Sequence, residues 1–426
     1  MLPSLFPRCH TKFASLPLLG PIADGFDDWL ATNGYTRGSR KFSIRMLRHV
    51  DAYLRRHVPR VPDVASLTHA KLHTCWRDLI KVFPAGAGTV RTLERYLVAR
   101  ELMVPGTTTP SQPLVLSEQY VNHLREVRGF SISTVSSHRR TAECFLQHLK
   151  EMGTAVGRLG TSQIESYITK AGKRLSRGSL QHDIAALRGF LRFLTAVGRL
   201  PAGLAYPIDT PRLYRLEQLP RALPWETVRT LLQSMETSSP MGLRDYAMFL
   251  LMATYGLRAS EIVTINLDDI RWRQGILRIH QRKTASPLEL PLTNEVLSAL
   301  AKHLKRTRPP APFRRVFLRM RAPIGVLKPT AVGDAFQALV RKSGLSIPYQ
   351  GPHCLRHSFA IYLLKSGTPL KTIGDILGHR TAESTCMYLR LATGDLREVA
   401  LQVPGRDKRR DDADTRPFSF HSRVFV

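Results

Sequence analysis

The sequence predicts a mainly α-helical protein, built from two helical domains followed by a third, mixed α+β domain that carries a small antiparallel sheet. Most segments place apolar residues three and four positions apart, as in Ile184, Leu187 and Leu191, which is the spacing of one helix face. By contrast, DIRWRQGILRIH and LELPL alternate or concentrate β-forming residues around a turn. Two Pro-bearing stretches, from Pro105 to Pro113 and from Pro201 to Pro224, divide the 426 residues into three pieces.

The first two pieces share a pattern that indicates an internal duplication. Residues of the first piece are matched in the second by an identical or similar residue 95 positions later. The pairs are Gly34 and Gly129, Tyr35 and Phe130, Thr36 and Ser131, Arg45 and Arg140, and Leu54 and Leu149. Duplication of a helical domain explains the pattern most simply. Chance similarity between amphipathic helices is the alternative.

These divisions define the predicted domains. We predict a first helical domain over residues 1–110, a second over 111–205, a mixed domain over 206–404 and a C-terminal tail over 405–426. In the mixed domain, ETVRTLLQSM, RDYAMFLLMATYG and KPTAVGDAFQALVRK have the pattern of helices. The tail begins with a run of charges and ends in apolar residues, so Phe418 to Val426 are candidates for docking on a neighbouring protomer.

The composition indicates a polyanionic partner. The chain has 63 Lys and Arg residues against 33 Asp and Glu residues, which gives a formal net charge of +30. A run of about 18 apolar residues is absent, so nucleic acid is favoured over a membrane. The five cysteines form no CxxC pair, and the N-terminus lacks the apolar stretch of a signal peptide. These features predict a cytoplasmic protein with reduced thiols.

Basic residues cluster near the start of a predicted helix in both helical domains. Because the cluster recurs and the chain is so basic, we predict that these side chains contact DNA phosphates. The candidates are Arg37, Arg40, Lys41 and Arg45 in the first domain, and His138, Arg139 and Arg140 in the second. A solvated basic helix face is the alternative.

The third piece carries six residues in motifs whose order is informative. They are Arg258 in TYGLRASEI, Lys283 in QRKTASPLELPL, His353 and Arg356 in HCLRHSFA, His379 in ILGHR, and Tyr388 in STCMYLR. In this set the chain resembles the tyrosine recombinase family, also called phage integrases, throughout the third piece and more loosely in the second. The resemblance implies SAM-like DNA-binding helical domains and a catalytic domain that breaks and rejoins DNA. The family commonly shows GKGxKxR at the hairpin, which this chain lacks, so Arg282 competes with Lys283 for the role of the lysine.

Breaking a phosphodiester without water or metal requires a side-chain nucleophile, cationic donors for the transition-state charge, and an acid for the leaving oxygen. Tyr388 provides the nucleophile. Arg258 and Arg356 suit the non-bridging oxygens, because a guanidinium offers paired donors in a fixed plane and stays protonated.

The resemblance assigns the remaining roles. It implies that Lys283 protonates the 5′ leaving oxygen, that His353 exchanges a proton with Tyr388, and that His379 donates to the phosphate. Glu261 lies three residues after Arg258, and either orients that arginine, as the family's acidic residue does, or forms a helix-surface ion pair with it. His357 is expected to point elsewhere on its helix and to be structural.

No metal or other cofactor is predicted. His353 and His357 lie four positions apart, as zinc-binding histidines can, but HExxH is absent and Arg356 lies between them. A P-loop motif is absent as well, so ATP use is not implied. By the resemblance, the energy of the broken bond is conserved in a 3′-phosphotyrosine.

The resemblance also implies an assembly. Recombination between two duplexes needs a DNA-bound homo-tetramer, with related recombinases or accessory DNA-bending proteins as further partners, and a nucleoid location of prokaryotic type. The additional N-terminal helical domain is typical of an integrase or transposon-type member that moves a mobile element. A type IB topoisomerase, which would relax supercoils without joining new partners, and a non-catalytic DNA-binding protein are the alternatives.

Overall fold

The computed structural model describes residues 2–57, 63–103, 112–214, 217, 219–280, 287–349, 351–379 and 381–391. Within these residues the protein is mainly helical with a three-stranded sheet, so the predicted fold class is confirmed. The chain forms two compact units, and the second contains the described residues within Leu219–Arg308, Arg314–Phe317 and Lys328–Val426. In the described part, no helix is both long enough and apolar enough to cross a membrane. Lys283 and the predicted tail over 405–426 lie outside the described residues.

The first helical region occupies residues 2–103 of the first unit. Its helices are α1 (Leu2–Leu5), α2 (Thr11–Ala14), α3 (Gly20–Thr32), α4 (Arg37–His57), α5 (His69–Val82) and α6 (Pro84–Ala99), with a 3₁₀ turn at Val64–Ser66. Their apolar faces form one hydrophobic core. The buried carboxylate of Asp51 accepts hydrogen bonds from the backbone N–H groups of Leu18 and Leu19, at 3.0 and 2.7 Å. These bonds hold the turn before α3 against the middle of α4.

The second helical region follows in the same unit and has its own core. Its helices are α7 (Gln112–Asn122), which continues into a π-helical turn at His123–Val127, then α8 (Ile132–Glu151), α9 (Thr161–Gly172) and α10 (Arg177–Ala196), with a 3₁₀ turn at Val156–Arg158. The longest two helices begin in the same way. The hydroxyl oxygens of Ser131 and Ser176 accept hydrogen bonds from the backbone N–H groups three residues further on, which caps α8 and α10.

The two helical regions share an order of elements that supports the predicted duplication. In each region a glycine with positive φ, Gly34 or Gly129, follows one helix and precedes a long second helix. A 3₁₀ turn and two further helices come next in both regions. The aromatic residue after each glycine, Tyr35 or Phe130, packs against the core of its own region. The two regions thus share one order of elements, and the duplication stays a prediction.

The second unit combines helices with the sheet. Its helices are α11 (Trp225–Gln233), α12 (Pro240–Tyr255), α13 (Ala259–Ile262), α14 (Asn294–Arg306), α15 (Pro329–Ser343), α16 (His353–Lys365), α17 (Leu370–Leu377) and α18 (Glu383–Cys386), with 3₁₀ turns at Leu267–Asp269 and Met387–Leu391. Strands β1 (Ile270–Arg271), β2 (Ile276–His280) and β3 (Pro287–Pro291) lie in that order and are antiparallel. Ile270 is opposite Leu277, and Leu277 is opposite Leu290, so these buried residues share one face.

Helix α12 ends at a glycine that the packing requires. Gly256 has a φ of +63°, in the left-handed region. A Cβ at this position would lie 2.7 Å from side-chain atoms of both Leu377 and Phe359. Glycine therefore allows both the turn and the close packing of α16 and α17 on the end of α12. Because Arg258 follows two residues later, this turn also determines the direction in which the chain leads from α12 to Arg258.

We expect Gly256→Ala to lower the free energy of unfolding of the second unit by about 2–5 kcal/mol, the sum of the left-handed backbone penalty and overpacking. Urea unfolding of the full chain measures this loss. Gly275→Ala is the matched control, because Gly275 also has a φ of +63° but nothing lies within 4 Å of its Cβ position. Equal losses in the two variants would contradict the contribution of packing.

Candidate active site

Four elements of the second unit carry the predicted catalytic residues that the structure describes. Arg258 is the N-cap residue of α13, and Arg356 lies in the first turn of α16. His379 follows Gly378, which ends α17 with a φ of +61°. Tyr388 lies in the 3₁₀ turn at Met387–Leu391. The predicted lysine, Lys283, and its competitor Arg282 lie outside the described residues, so that assignment stays a prediction.

Arg258 is held by Glu261 through two hydrogen bonds. The Arg258 Nη1 donates to Glu261 Oε1 at 2.7 Å, and the Arg258 backbone N–H donates to Glu261 Oε2 at 2.8 Å. The Glu261 side chain is only 3% exposed, whereas that of Arg258 is 20% exposed. Of the two interpretations left open by the sequence, a buried carboxylate that orients the arginine fits this geometry, and a helix-surface ion pair does not.

Arg356 is fixed by backbone carbonyls. Its Nη1 donates to the carbonyl oxygen of Gly256 at 2.7 Å, and its Nη2 donates to the carbonyl oxygen of Leu377. Burial, with Arg258 nearby, lowers the pKa of Arg356 to about 10, so the guanidinium remains protonated at neutral pH. The side chain therefore joins the ends of α12 and α17 while it carries a positive charge inside the unit.

Tyr388 is buried next to both arginines, with 1% of its surface exposed. Its hydroxyl is hydrogen-bonded to Nδ1 of His357 at 3.1 Å. Burial raises the pKa of Tyr388, while the charges of Arg356 and Arg258 act in the opposite direction. The phenol is therefore protonated at neutral pH, and it must lose its proton when it acts as a nucleophile.

His379 stacks on the ring of Tyr388. The ring centroids are 6.2 Å apart and the ring planes are inclined by 17°. His379 Nδ1 is hydrogen-bonded to the Thr385 hydroxyl at 2.8 Å. Burial, followed by the charge of Arg356, lowers the pKa of His379 to about 4. A neutral imidazole, oriented by Thr385, is therefore the form present at neutral pH.

The structure corrects the expectation for His357. We expected this residue to point elsewhere on its helix, but it is the histidine that is hydrogen-bonded to the Tyr388 hydroxyl. His353, the residue expected to exchange a proton with Tyr388, is exposed and packs edge-on against His357, with ring centroids 4.6 Å apart. The four-residue spacing of the two histidines is the signal in the sequence that both lie on one helix face. In the described part of the chain, no cluster of residues suits a metal ion.

Three of the predicted DNA contacts are hydrogen-bonded to other side chains of the protein. Arg40 donates to both carboxylate oxygens of the buried Asp27, at 2.8 and 2.6 Å. Arg139 pairs with Glu118 and with Glu143, and His138 is hydrogen-bonded to the Tyr120 hydroxyl at 2.8 Å. These partners favour a structural role for Arg40, Arg139 and His138. The remaining candidates stay predictions, and they are Arg37, which donates to the Ser4 carbonyl oxygen at 3.2 Å, Arg45, which lies over the Phe6 ring, Lys41 and Arg140.

The fold and the site together define a class of protein. Two guanidinium groups held beside a buried tyrosine suit transesterification of a phosphodiester through that tyrosine. The sequence model of the phage integrase family matches residues 221–394, and that of the phage integrase N-terminal SAM-like domain matches residues 117–198. The chain belongs to the phage integrase family, and it is a site-specific tyrosine recombinase.

Known relatives agree with this assignment over most of the chain. The integrase/recombinase y4rA of Sinorhizobium fredii is 31% identical over 400 residues, which cover 92% of this chain and 97% of that protein. Tyrosine recombinase XerD of Listeria monocytogenes is 29% identical over 298 residues, which cover 68% of this chain and 99% of XerD. The XerH site-specific recombinase, bound to palindromic difH substrate in a post-cleavage complex, shares the fold with a TM-score of 0.53. That match is 17% identical and covers 67% of this chain and 86% of XerH.

Proposed function

We propose that the chain recombines DNA through a 3′-phosphotyrosine formed on Tyr388. The hydroxyl oxygen attacks the scissile phosphorus and releases a 5′ hydroxyl, and the 5′ hydroxyl of a second strand then reverses the step. The observation that carries this proposal is the position of the Tyr388 hydroxyl within electrostatic range of both Arg356 and Arg258. The same charges that act on this phenol would act on a phosphate at its oxygen.

The two arginines are suited to the charge that develops on the phosphorane. Each guanidinium has five N–H donors. Arg258 uses Nη1 for Glu261, and Arg356 uses one N–H on each of Nη1 and Nη2 for carbonyl oxygens. These bonds orient the guanidinium groups before the reaction. The remaining N–H donors can therefore stabilise the non-bridging oxygens in the transition state without a rearrangement of the protein.

The other catalytic residues complete the proposal. Lys283 protonates the 5′ leaving oxygen, as the family resemblance implies. His353 is exposed at the start of α16, and His379 is oriented by Thr385, so both can donate to the phosphate. The reaction requires no metal in this scheme, because the protein itself supplies the cationic donors and the acid.

We propose further that each protomer cleaves with its own tyrosine. The described residues bring Tyr388 and both arginines together within one chain. Tyr388 is 1% exposed, so bound DNA must displace part of its cover before phosphorus can reach the hydroxyl. Cleavage is then coupled to DNA binding.

DNA is the partner of this enzyme, and the working assembly that we propose is a homo-tetramer on two duplexes. Four strands must be cleaved and rejoined to exchange two duplexes, which requires four tyrosines. Related recombinases or accessory DNA-bending proteins would assist, and the reaction would move a mobile element. The full-length match to the integrase/recombinase y4rA, rather than the partial match to XerD, favours an integrase-type role.

Covalent trapping tests the proposal. Duplexes tiled across the DNA on both sides of the gene, each with a nick near the candidate cleavage position, lose the short 5′ hydroxyl fragment after cleavage, so the adduct accumulates. We expect a 3′-linked adduct on a peptide that contains Tyr388, identified by mass spectrometry after digestion. No adduct on any duplex would favour a non-catalytic DNA-binding protein. Relaxation of a plasmid without the joining of strands from different duplexes would favour a topoisomerase.

A further inference from the structure

The histidine that contacts the Tyr388 hydroxyl is His357, and not His353 as the family resemblance implies. His357 lies one turn after His353 on α16 and is half-buried. Its Nδ1 lies 3.1 Å from the Tyr388 hydroxyl oxygen, and the two rings are inclined by 59° with centroids 5.6 Å apart. A ring nitrogen is thus aimed at the oxygen that attacks phosphorus.

The other two histidines are placed differently. His379 is nearly parallel to the Tyr388 ring, with centroids 6.2 Å apart, and its Nδ1 is hydrogen-bonded to the Thr385 hydroxyl rather than to the tyrosine. His353 packs edge-on against His357 on the exposed side of the helix. Of these three histidines, His357 is the one whose hydrogen bond reaches the tyrosine hydroxyl.

The charge states suit a donor and an acceptor. Burial raises the pKa of Tyr388, so the phenol holds its proton. Burial, with the neighbouring positive groups, lowers the pKa of His357 to about 4, so its imidazole is neutral above that pH. With the ring hydrogen on Nε2, Nδ1 accepts the hydroxyl hydrogen. The groups that influence or contact this imidazole are His353, Arg356, Arg221, His379 and Tyr388.

We propose that His357 is a catalytic residue that accepts the Tyr388 proton during cleavage and returns it during rejoining. This inference rests on the proposed role of Tyr388 as the nucleophile. In cleavage, the O–H bond of Tyr388 breaks, an N–H bond forms on Nδ1, the tyrosine oxygen bonds to phosphorus, and the bond from phosphorus to the 5′ oxygen breaks. That 5′ oxygen takes a proton from the acid, assigned to Lys283. Rejoining reverses each transfer.

The transfer becomes favourable as the reaction proceeds. When the tyrosine oxygen bonds to phosphorus, it loses basicity, so its proton moves to a nitrogen that is a weak base in the free protein. The negative phosphate also offsets the positive charge of Arg356, which disfavours an imidazolium in the free protein.

Leaving-group substitution separates this role from that of the acid. A sulfur at the 5′ bridging position leaves as a thiolate without protonation, because a thiol is several pKa units more acidic than an alcohol, so it bypasses the acid but not the acceptor. The probes are the duplexes used for trapping, with oxygen or sulfur at that position. The variants are His357→Asn, which keeps a hydrogen-bond acceptor near the place of Nδ1 but cannot take a proton, and His182→Asn as the matched control, because His182 is an exposed histidine of α10 with no part in the proposed chemistry.

We expect His357→Asn to slow single-turnover cleavage and rejoining by about 10²–10⁴-fold on both probes, the usual contribution of a general base. Lys283→Met should cleave the oxygen probe slowly and the sulfur probe at the rate of the unaltered protein. Cleavage by the unaltered protein should fall as the pH decreases toward 4, because protonation of His357 removes the acceptor. His357→Gln repeats the test if the Asn variant does not fold, with melting temperature and DNA binding as checks.

Three results would overturn the proposal. Wild-type rates in His357→Asn would reduce the residue to a positioning role, and faster cleavage would show that its hydrogen bond restrains the nucleophile. If His357→Asn cleaved the sulfur probe at the rate of the unaltered protein, His357 would assist the leaving group instead of the nucleophile. If the unaltered protein forms no adduct on Tyr388, the proposed function fails instead, so the two failures are distinguishable.

Discussion

Replacement of Tyr388 by Phe is expected to abolish the covalent adduct while leaving DNA binding and folding nearly unchanged. The substitution removes only the hydroxyl, and the ring still packs with Ile373, Leu377 and Phe359 in the local core. The lost hydrogen bond leaves His357 without its partner, which costs about 1 kcal/mol in stability. Without the attacking oxygen there is no route to a phosphotyrosine, so the loss of adduct should be complete.

Gel-shift binding and covalent trapping on the same nicked duplexes measure the two properties in parallel. Tyr362→Phe is the matched control, because Tyr362 belongs to the same unit but is 43% exposed and stacks on Trp225. The control should form as much adduct as the unaltered protein. An adduct in the Tyr388→Phe protein would show that another residue attacks DNA.

Arg356→Lys is expected to have the second largest effect, on both chemistry and stability. A lysine keeps the charge but carries its three N–H donors on one nitrogen, so it cannot replace the planar fork needed to bond the Gly256 and Leu377 carbonyls and the phosphate together. We expect cleavage to slow by about 10²–10³-fold, the usual cost of losing one transition-state donor. Loss of the carbonyl partners should lower the free energy of unfolding by about 1–3 kcal/mol.

Single-turnover cleavage and urea unfolding give these two quantities separately. Arg229→Lys is the matched control, because the Arg229 side chain on α11 is 63% exposed and its exchange should change neither quantity. Cleavage by Arg356→Lys at the rate of the unaltered protein would show that the planar guanidinium is not required. Slow cleavage with unchanged stability would instead separate the catalytic role from the structural one.

Much of the fold could be predicted from local patterns. Apolar spacing of three and four residues predicted the helices, and β-forming residues around a turn predicted the antiparallel sheet. The glycine before each long helix, Gly34 or Gly129, was also visible as part of the repeated pattern. These features could be predicted because they depend on neighbouring residues, whose backbone preferences are readable in the sequence.

For the site, the sequence predicted the types of residue but not which of them are in contact. The short motifs pointed to Arg258, Arg356, His379 and Tyr388, and the structure places all four in one region of the second unit. The proton acceptor was assigned to His353, but the hydrogen bond belongs to His357. A four-residue spacing shows that two histidines share a helix face, but it does not show which of them the tyrosine faces.

By itself, the sequence determined the helical class, the small sheet and the residue types needed to break a phosphodiester, because each of these is a local property of the chain. Only the tertiary structure decided which side chains meet. Arg356 reaches the carbonyl of a residue 100 positions away, and His357 reaches a tyrosine 31 positions away. The tertiary structure also decided that Arg40 donates a hydrogen bond to the buried Asp27. Such contacts depend on how helices pack against one another, and periodicity identifies a helix face without identifying what packs against it.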